Sequence, residues 1–384
     1  MALPLYRQIY LNLVEQIQQG ILSPGDRVPS EHELARQFHV SRITSKKALE
    51  ELAQDGIIVR IQGQGSFVRE HLPDLSRVLA ENADATTAFN GATDSRLIGL
   101  ILPDFADVYA ARLIRAVDQR AAQLGYELLL RLTYGSAETE AEAITRFTKA
   151  GAAGLIVFPV AGEYYSKTLL RLTLDNFPLV VIDRTLKGIP AASVHTNNVK
   201  AAYELTSYLL DRGHQHIAFL SPPAENTSTI EERIQGFMQA FSHRGLSLSP
   251  DYCFTDLIST LPGSFNPSNI ERDKRQLKAF ISRYPHVTAF VASEYYVARV
   301  AHQTLLELGK RVPQDYAIVC FDSPENPLEP PLFTHIQQDE YAMGTIAVDV
   351  LDALIRGDSA EVRTVVDFNL IEGQSTRSES NEVR

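Results

Sequence analysis

Between residues 96 and 183, four short apolar runs (in RLIGLILP, YELLLRL, AGLIVFP and PLVVID) alternate with amphipathic stretches such as AARLIRAVDQRAAQLG and AEAITRFTKA. A short apolar run without polar alternation fits a strand buried on both faces. Parallel strands need crossover connections, and helices supply both the crossover and the cover. The same alternation resumes after residue 213 in HIAFLSP, VTAFVAS and YAIVCFD. The region therefore reads as two doubly wound α/β lobes. No solenoid repeat or low-complexity tract interrupts it.

Upstream of residue 96 the period changes. Leu5, Ile9, Leu13 and Ile17 recur at the i, i+4 spacing of a helix with one buried stripe. GILSPGDRVPS breaks that helix. Ser30 then caps a second one, with Glu33 at the reciprocal capping-box position, and the helix runs to about Phe38. Ser41 is the expected N-cap of a third helix over 42–54, and Gly56 can take the left-handed conformation that closes it. IIVRIQGQGSFV reads as two short strands around a glycine turn. Three helices and a hairpin make a winged helix-turn-helix over 1–69. Residues 70–95 lose periodicity and read as a linker, with one loose helical turn near Leu79. The lobes occupy 96–384.

Charge separates the two parts. The chain carries −11 overall, yet residues 1–69 hold eight Lys/Arg against seven Asp/Glu. The sequence VSRITSKKALEEL places Ala48, Leu49 and Leu52 toward a small core and Ser41, Arg42, Thr44 and Lys46 on the outer, N-terminal part. In a helix-turn-helix that part enters the major groove. Arginine can grip guanine O6 and N7 with both arms, whereas lysine and hydroxyls more often meet phosphates. A solvated amphipathic helix is the competing reading of the segment.

Two cysteines, Cys253 and Cys320, are too few for a disulfide framework and fit a reducing compartment. The first twenty residues are too polar for a signal peptide, and no apolar window reaches membrane length. A cytoplasmic protein is expected.

The stretch PSEHELARQFHVSRITSKKALEELAQDGIIVRIQGQGSFV resembles the DNA-binding domain of the GntR superfamily across nearly all of 3–69. The resemblance implies DNA contacts from His32, from Ser41, Arg42, Thr44 and Lys46, and from Gln62, Gly63 and Gly65 at the wing tip. Members usually carry arginine where Lys46 stands, and lysine loses the planar fork. A basic residue is common where His32 stands.

PLVVIDR, DRGHQHIAFLS, ERIQGFMQAF, LELGKRVPQDYAIVCFDS and PPLFTHIQQDEYAMG resemble the effector-binding domain of LacI/GalR proteins, roughly over 96–376. That resemblance implies a periplasmic-binding-protein-like fold with a sugar in the cleft between lobes, at the C-terminal ends of strands. Candidate contacts are Phe105, Asp107 and Tyr109 after the first strand, Arg184 at the end of the fourth, and Asn197 near the last strand of that lobe. Arg233, Glu294 and Asp322 face them, with Gln338 on a crossover segment. Helix capping competes for Asp107, a surface or interlobe salt bridge for Arg184 and Arg233, and loop ordering for Asp322. Three departures from the family are expected to alter the pocket. Ser293–Glu294 replaces Asn-Asp, Asn197 stands where Asp is common, and Gly373 replaces an arginine in LIEGQST.

A GntR-type head on such a domain resembles the arabinose-repressor family of Gram-positive bacteria. It implies a dimer that holds double-stranded operator DNA and lets go when a small carbohydrate binds, with L-arabinose as the first candidate. No catalytic group, cofactor or metal is expected. GQGSFV lacks the Gly-Lys-Ser/Thr of a phosphate loop, there is no GxSxG elbow, and His214 and His216 start a strand. The rival reading is a sugar-binding or sugar-processing protein without operator function.

Overall fold

The computed structural model describes residues 5–18, 20–38, 40, 42–61, 65–73, 75, 97–104, 108–160, 167–186, 188–324, 328–359 and 361–376. The chain divides into two compact units, Met1–Ser95 and Arg96–Arg384. The linker expected over 70–95 falls largely outside the described residues.

The first unit is a winged helix-turn-helix. Helices α1 (Leu5–Gln18), α2 (Glu31–Gln37) and α3 (Arg42–Gln54) bury Ile9, Leu13, Ile17, Leu34, Leu49 and Leu52 in one core. The capping box forms as its residues dictate. Ser30 N donates to Glu33 Oε2 at 2.7 Å, and Glu33 N donates to Ser30 Oγ at 3.3 Å. Gly56 takes φ +72° after α3, the left-handed turn a helix end favours. The wing has three strands rather than two. Arg27–Val28 (β1) pairs antiparallel with Gly65–Val68 (β3), which pairs with Ile58–Ile61 (β2). Two residues between Gly25 and Pro29 carry no readable period, and only the burial of Val28 marks the strand.

The second unit holds two six-stranded sheets. In the first lobe β4 (Leu97–Leu102), β5 (Glu127–Leu132), β6 (Gly154–Val157), β7 (Leu179–Ile182) and β8 (Ala192–Thr196) run parallel with β14 (Arg363–Val366), in the order β14-β8-β7-β6-β4-β5. In the second lobe β9 (Ile217–Leu220), β10 (Cys253–Phe254), β11 (Ala289–Ala292), β12 (Ala317–Phe321) and β13 (Thr334–Gln338) are parallel. Strand β15 (Phe368–Ile371) joins them antiparallel, and the order is β10-β9-β11-β12-β13-β15. Helices α4 (Val108–Gln123), α5 (Ala137–Lys149), α6 (Lys167–Leu174) and α11 (Glu340–Arg356) cover the first sheet. Helices α7 (Asn198–Asp211), α8 (Ser228–His243), α9 (Pro267–Arg283) and α10 (Tyr295–Glu307) cover the second.

The chain therefore crosses between lobes three times, after β8, after β13 and between β14 and β15. The apolar-run pattern does not mark β10, β13, β14 or β15. Strand β10 is only two residues long, and the other three mix polar side chains into the strand, as in THIQQ, where Thr334, His335 and Gln338 are all buried.

Gly373 lies elsewhere than the sequence reading supposed. It follows β15 beside the start of β13, where its N–H donates to Thr334 Oγ1 at 2.9 Å. The ligand-binding end of a parallel sheet is the opposite one. A Cβ on Gly373 would collide with the Phe333 backbone and sit 2.6 Å from Thr334 N. The main chain packs against Gly373 at the end of the sheet away from the candidate site, so a glycine here removes no charge from that site.

Candidate functional site

In the first unit, the start of α3 is oriented by a buried hydroxyl. Ser45 Oγ donates to Glu31 O at 2.7 Å, which ties α3 to α2. Arg42, Lys46 and His32 are exposed and Thr44 is half-buried. Ser41, Gln62 and Gly63 lie outside the described residues. Gly65 opens β3 at φ +122°, a conformation suited to glycine.

A carboxylate pattern that the motif did not reveal borders this face. Glu50 Oε1 lies 3.7 Å from Lys46 Nζ and 3.7 Å from Arg60 Nη1, and Arg60 Nη2 meets Glu31 at 2.5 Å. Lys47 turns the other way, its Nζ 3.9 Å from the centre of the Tyr6 ring. Arg42 makes no ion pair among the described residues.

In the second unit the two lobes present matching strand ends. Asp183 follows β7 at φ +68° and Asp322 follows β12 at φ +59°. Each amide donates to the neighbouring strand: Asp183 N to Val194 O at 2.9 Å and Asp322 N to Ile336 O at 2.8 Å. Left-handed backbone at a non-glycine residue is strained, and such strain concentrates at functional sites. Each carboxylate is then held by a neutral donor. Tyr109 Oη donates to Asp183 Oδ1 at 2.6 Å, and Gln338 Nε2 donates to Asp322 Oδ2 at 2.8 Å. Burial, then Asp183, pushes the Tyr109 phenol well above its ordinary range, so it stays a donor.

Two guanidinium groups complete the cluster. Arg184 Nη1 donates to Pro159 O at 3.0 Å, and its guanidinium carbon lies 5.0 Å from the Phe158 ring centre. Its buried Nε has no partner among the described residues. Desolvation lowers the Arg184 pKa, with Asp183 opposing and Arg233 reinforcing the shift. Arg233 is 7% exposed. Its Nε donates to Asn198 Oδ1 at 2.8 Å and its Nη1 to Ser293 O at 2.5 Å, with Phe321 stacked 3.8 Å away. Neither arginine forms an ion pair among the described residues.

Other expectations are redistributed. Asn197 is exposed and caps α7, accepting from Lys200 N at 3.0 Å, and its neighbour Asn198 holds Arg233. Glu294 occupies the N-cap of α10, half-buried, and its side chain makes no cap bond. Gln338 is buried, with Oε1 lacking a partner among the described residues. Phe105 and Asp107 lie outside the described residues. Sequence reasoning missed Asp183 and Asn198, although Asp183 stands inside the quoted VIDR. Planar donors and carboxylates set among aromatic rings can pair with adjacent hydroxyls and cover a C–H face. Among the described residues, no group of three His, Cys, Asp or Glu is placed to hold a metal ion, and no helix is long and apolar enough to cross a membrane.

Comparison with known proteins follows the same division. Residues 5–68 match the model for bacterial regulatory proteins of the gntR family, and residues 206–376 match the periplasmic binding protein-like domain. The arabinose metabolism transcriptional repressor of Geobacillus stearothermophilus is 25% identical over 327 residues, covering 84% of this chain and 82% of that protein. The ribose operon repressor of Bacillus subtilis is 27% identical over 292 residues, covering 74% and 82%. The crystal structure of the transcription regulator CcpA of Lactococcus lactis superposes with a TM-score of 0.65 at 23% identity, covering 74% of this chain and all of that one. The chain thus joins a GntR-type head to a periplasmic-binding-protein-like domain.

Proposed function

We propose that this chain is a transcriptional repressor that grips operator DNA through the first unit and releases it when a small carbohydrate binds between the lobes of the second, with L-arabinose the first candidate. The observation that carries the reading is the cluster of buried Arg233 and Asp183 with half-buried Arg184 and Asp322 at strand ends of the two lobes, on a chain whose separate first unit exposes Arg42 and Lys46. Support comes from relatives named as sugar-operon repressors whose similarity spans most of the chain. We propose a homodimer, because two-fold heads fit paired half-sites. Release requires only that the effector prefer the low-DNA-affinity state.

The DNA half is tested by substitution in α3. Arg42→Ala weakens specific operator binding by roughly 1–3 kcal/mol and relaxes preference at one base pair. Lys46→Ala weakens binding to all sequences and lowers the salt slope by about one. Gel shifts at several fixed salt concentrations read both. If Arg42→Ala leaves affinity and preference untouched, α3 does not read the operator. A wild-type chain that binds sugar and no DNA would favour the rival sugar-binding reading.

A further inference from the structure

The cleft continues beyond its charged centre. At the edge of the first sheet, β5 leads into Thr133 and Tyr134. At the matching edge of the second sheet, β10 leads into the segment 255–266. These two edges meet: Gly263 N donates to Asp104 Oδ2 at 3.4 Å, and a Cβ on Gly135 would stand 3.2 Å from Pro262 Cβ.

Two kinds of side chain gather at this seam. Thr133 and Ser259 are each 1% exposed, yet Thr133 Oγ1, Ser259 Oγ and Thr260 Oγ1 have no hydrogen-bond partner among the described residues. Buried hydroxyls are ordinarily satisfied, so three together point to something that binds there. Large aromatic faces stand open on the same two segments. Tyr134 is 61% exposed, Phe265 is 49% exposed, and the Phe265 and Tyr296 ring centres are 4.9 Å apart. Tyr296 lies in the first turn of α10, next to Glu294 at the cleft. Hydroxyl partners beside exposed aromatic faces are the chemistry that recognises a sugar ring.

The seam is also separated from the charged centre. In each sheet the edge strand, β5 or β10, is three strands from the one that presents Asp183 or Asp322. At about 4.8 Å per strand that is roughly 14 Å between strand ends. One sugar ring held by Arg184 and Arg233 leaves the seam groups unused.

We propose that the seam is an outer carbohydrate subsite, so that a saccharide of two rings, with a sugar such as L-arabinose as its inner ring, binds more tightly than the single sugar. The inner ring sits at the charged centre. The second ring lies against Phe265 and Tyr134 and shares its hydroxyls with Thr133, Ser259 and Thr260. This inference rests on the reading of the cleft as a carbohydrate site.

Calorimetric titration of the full chain tests it, with L-arabinose, D-xylose and D-galactose against arabinobiose, xylobiose and galactobiose. The best disaccharide should bind about tenfold or more tighter than its own monosaccharide. Phe265→Ala should erase that advantage to within about threefold and leave the monosaccharide constant unchanged within about twofold. Thr133→Val, which removes the hydroxyl at nearly constant shape, should do the same in part. Equal affinity for one and two rings overturns the subsite, as does a Phe265→Ala loss shared equally by both. If no sugar of either length binds the wild-type chain, the carbohydrate reading of the cleft fails first and the subsite falls with it.

Discussion

Arg233→Ala should cost the effector about 2–5 kcal/mol of binding, the usual loss when a charged donor leaves a desolvated site. Each 1.4 kcal/mol is about tenfold, so a micromolar ligand leaves its useful range. The side chain is 7% exposed and spends two donors on Asn198 Oδ1 and Ser293 O. Both hydrogen-bond partners are neutral, so truncation breaks no direct ion pair among the described residues. The unit should stay folded, although two acceptors lose a donor at about 1–3 kcal/mol each if they stay dry. Arg233→Lys should recover little, because an ammonium cannot reach both acceptors in the fork geometry. Operator affinity without ligand should move by less than about threefold, since the head is a separate compact unit. Wild-type ligand affinity in a folded Arg233→Ala chain would make Arg233 a brace for the β8–α7 crossover and shift the pocket toward Arg184.

Gly373→Arg restores the residue that the family pattern carries, and it should destabilise the chain rather than restore a pocket charge. A Cβ at 373 collides with the Phe333 backbone and lies 2.6 Å from Thr334 N. Backbone cannot move aside as a side-chain tip can. Nearby, Ser375 N donates to Leu332 O at 2.9 Å, and Thr334 N donates to Ser375 Oγ at 3.1 Å. Overpacking typically costs about 1–3 kcal/mol and here should reach the upper end or exceed it. Urea denaturation reads the cost as a lower midpoint at unchanged slope. Wild-type stability together with altered ligand affinity would place Gly373 in the cleft after all.

Much of the architecture is legible because it is periodic. Uninterrupted runs such as GLIV at 154–157, alternating with amphipathic helices, fit strands covered on both faces, and Ser30 with Glu33 announces a helix start. What stays illegible lies at the crossovers. THIQQ buries threonine, histidine and glutamine, each held by hydrogen bonds, so neither helical nor strand period survives. Adjacent residues at a helix start diverge sharply. Asn197 at the N-cap turns to the Lys200 amide, while Asn198, one residue on, is buried against Arg233. Spacing along the chain cannot separate them. The Asp183 and Asp322 pair is clear only in three dimensions, where equivalent left-handed turns end β7 and β12 in the two lobes.

The central claim is that sugar in the cleft and DNA on the head compete through one chain. Fluorescence anisotropy of a labelled operator duplex, at fixed salt, tests it most directly when titrated with protein in the presence and absence of a sugar that calorimetry shows to bind. The account predicts that the sugar weakens operator binding, and that Arg233→Ala protein binds the operator normally and no longer responds. Operator affinity that stays the same at saturating sugar would contradict it.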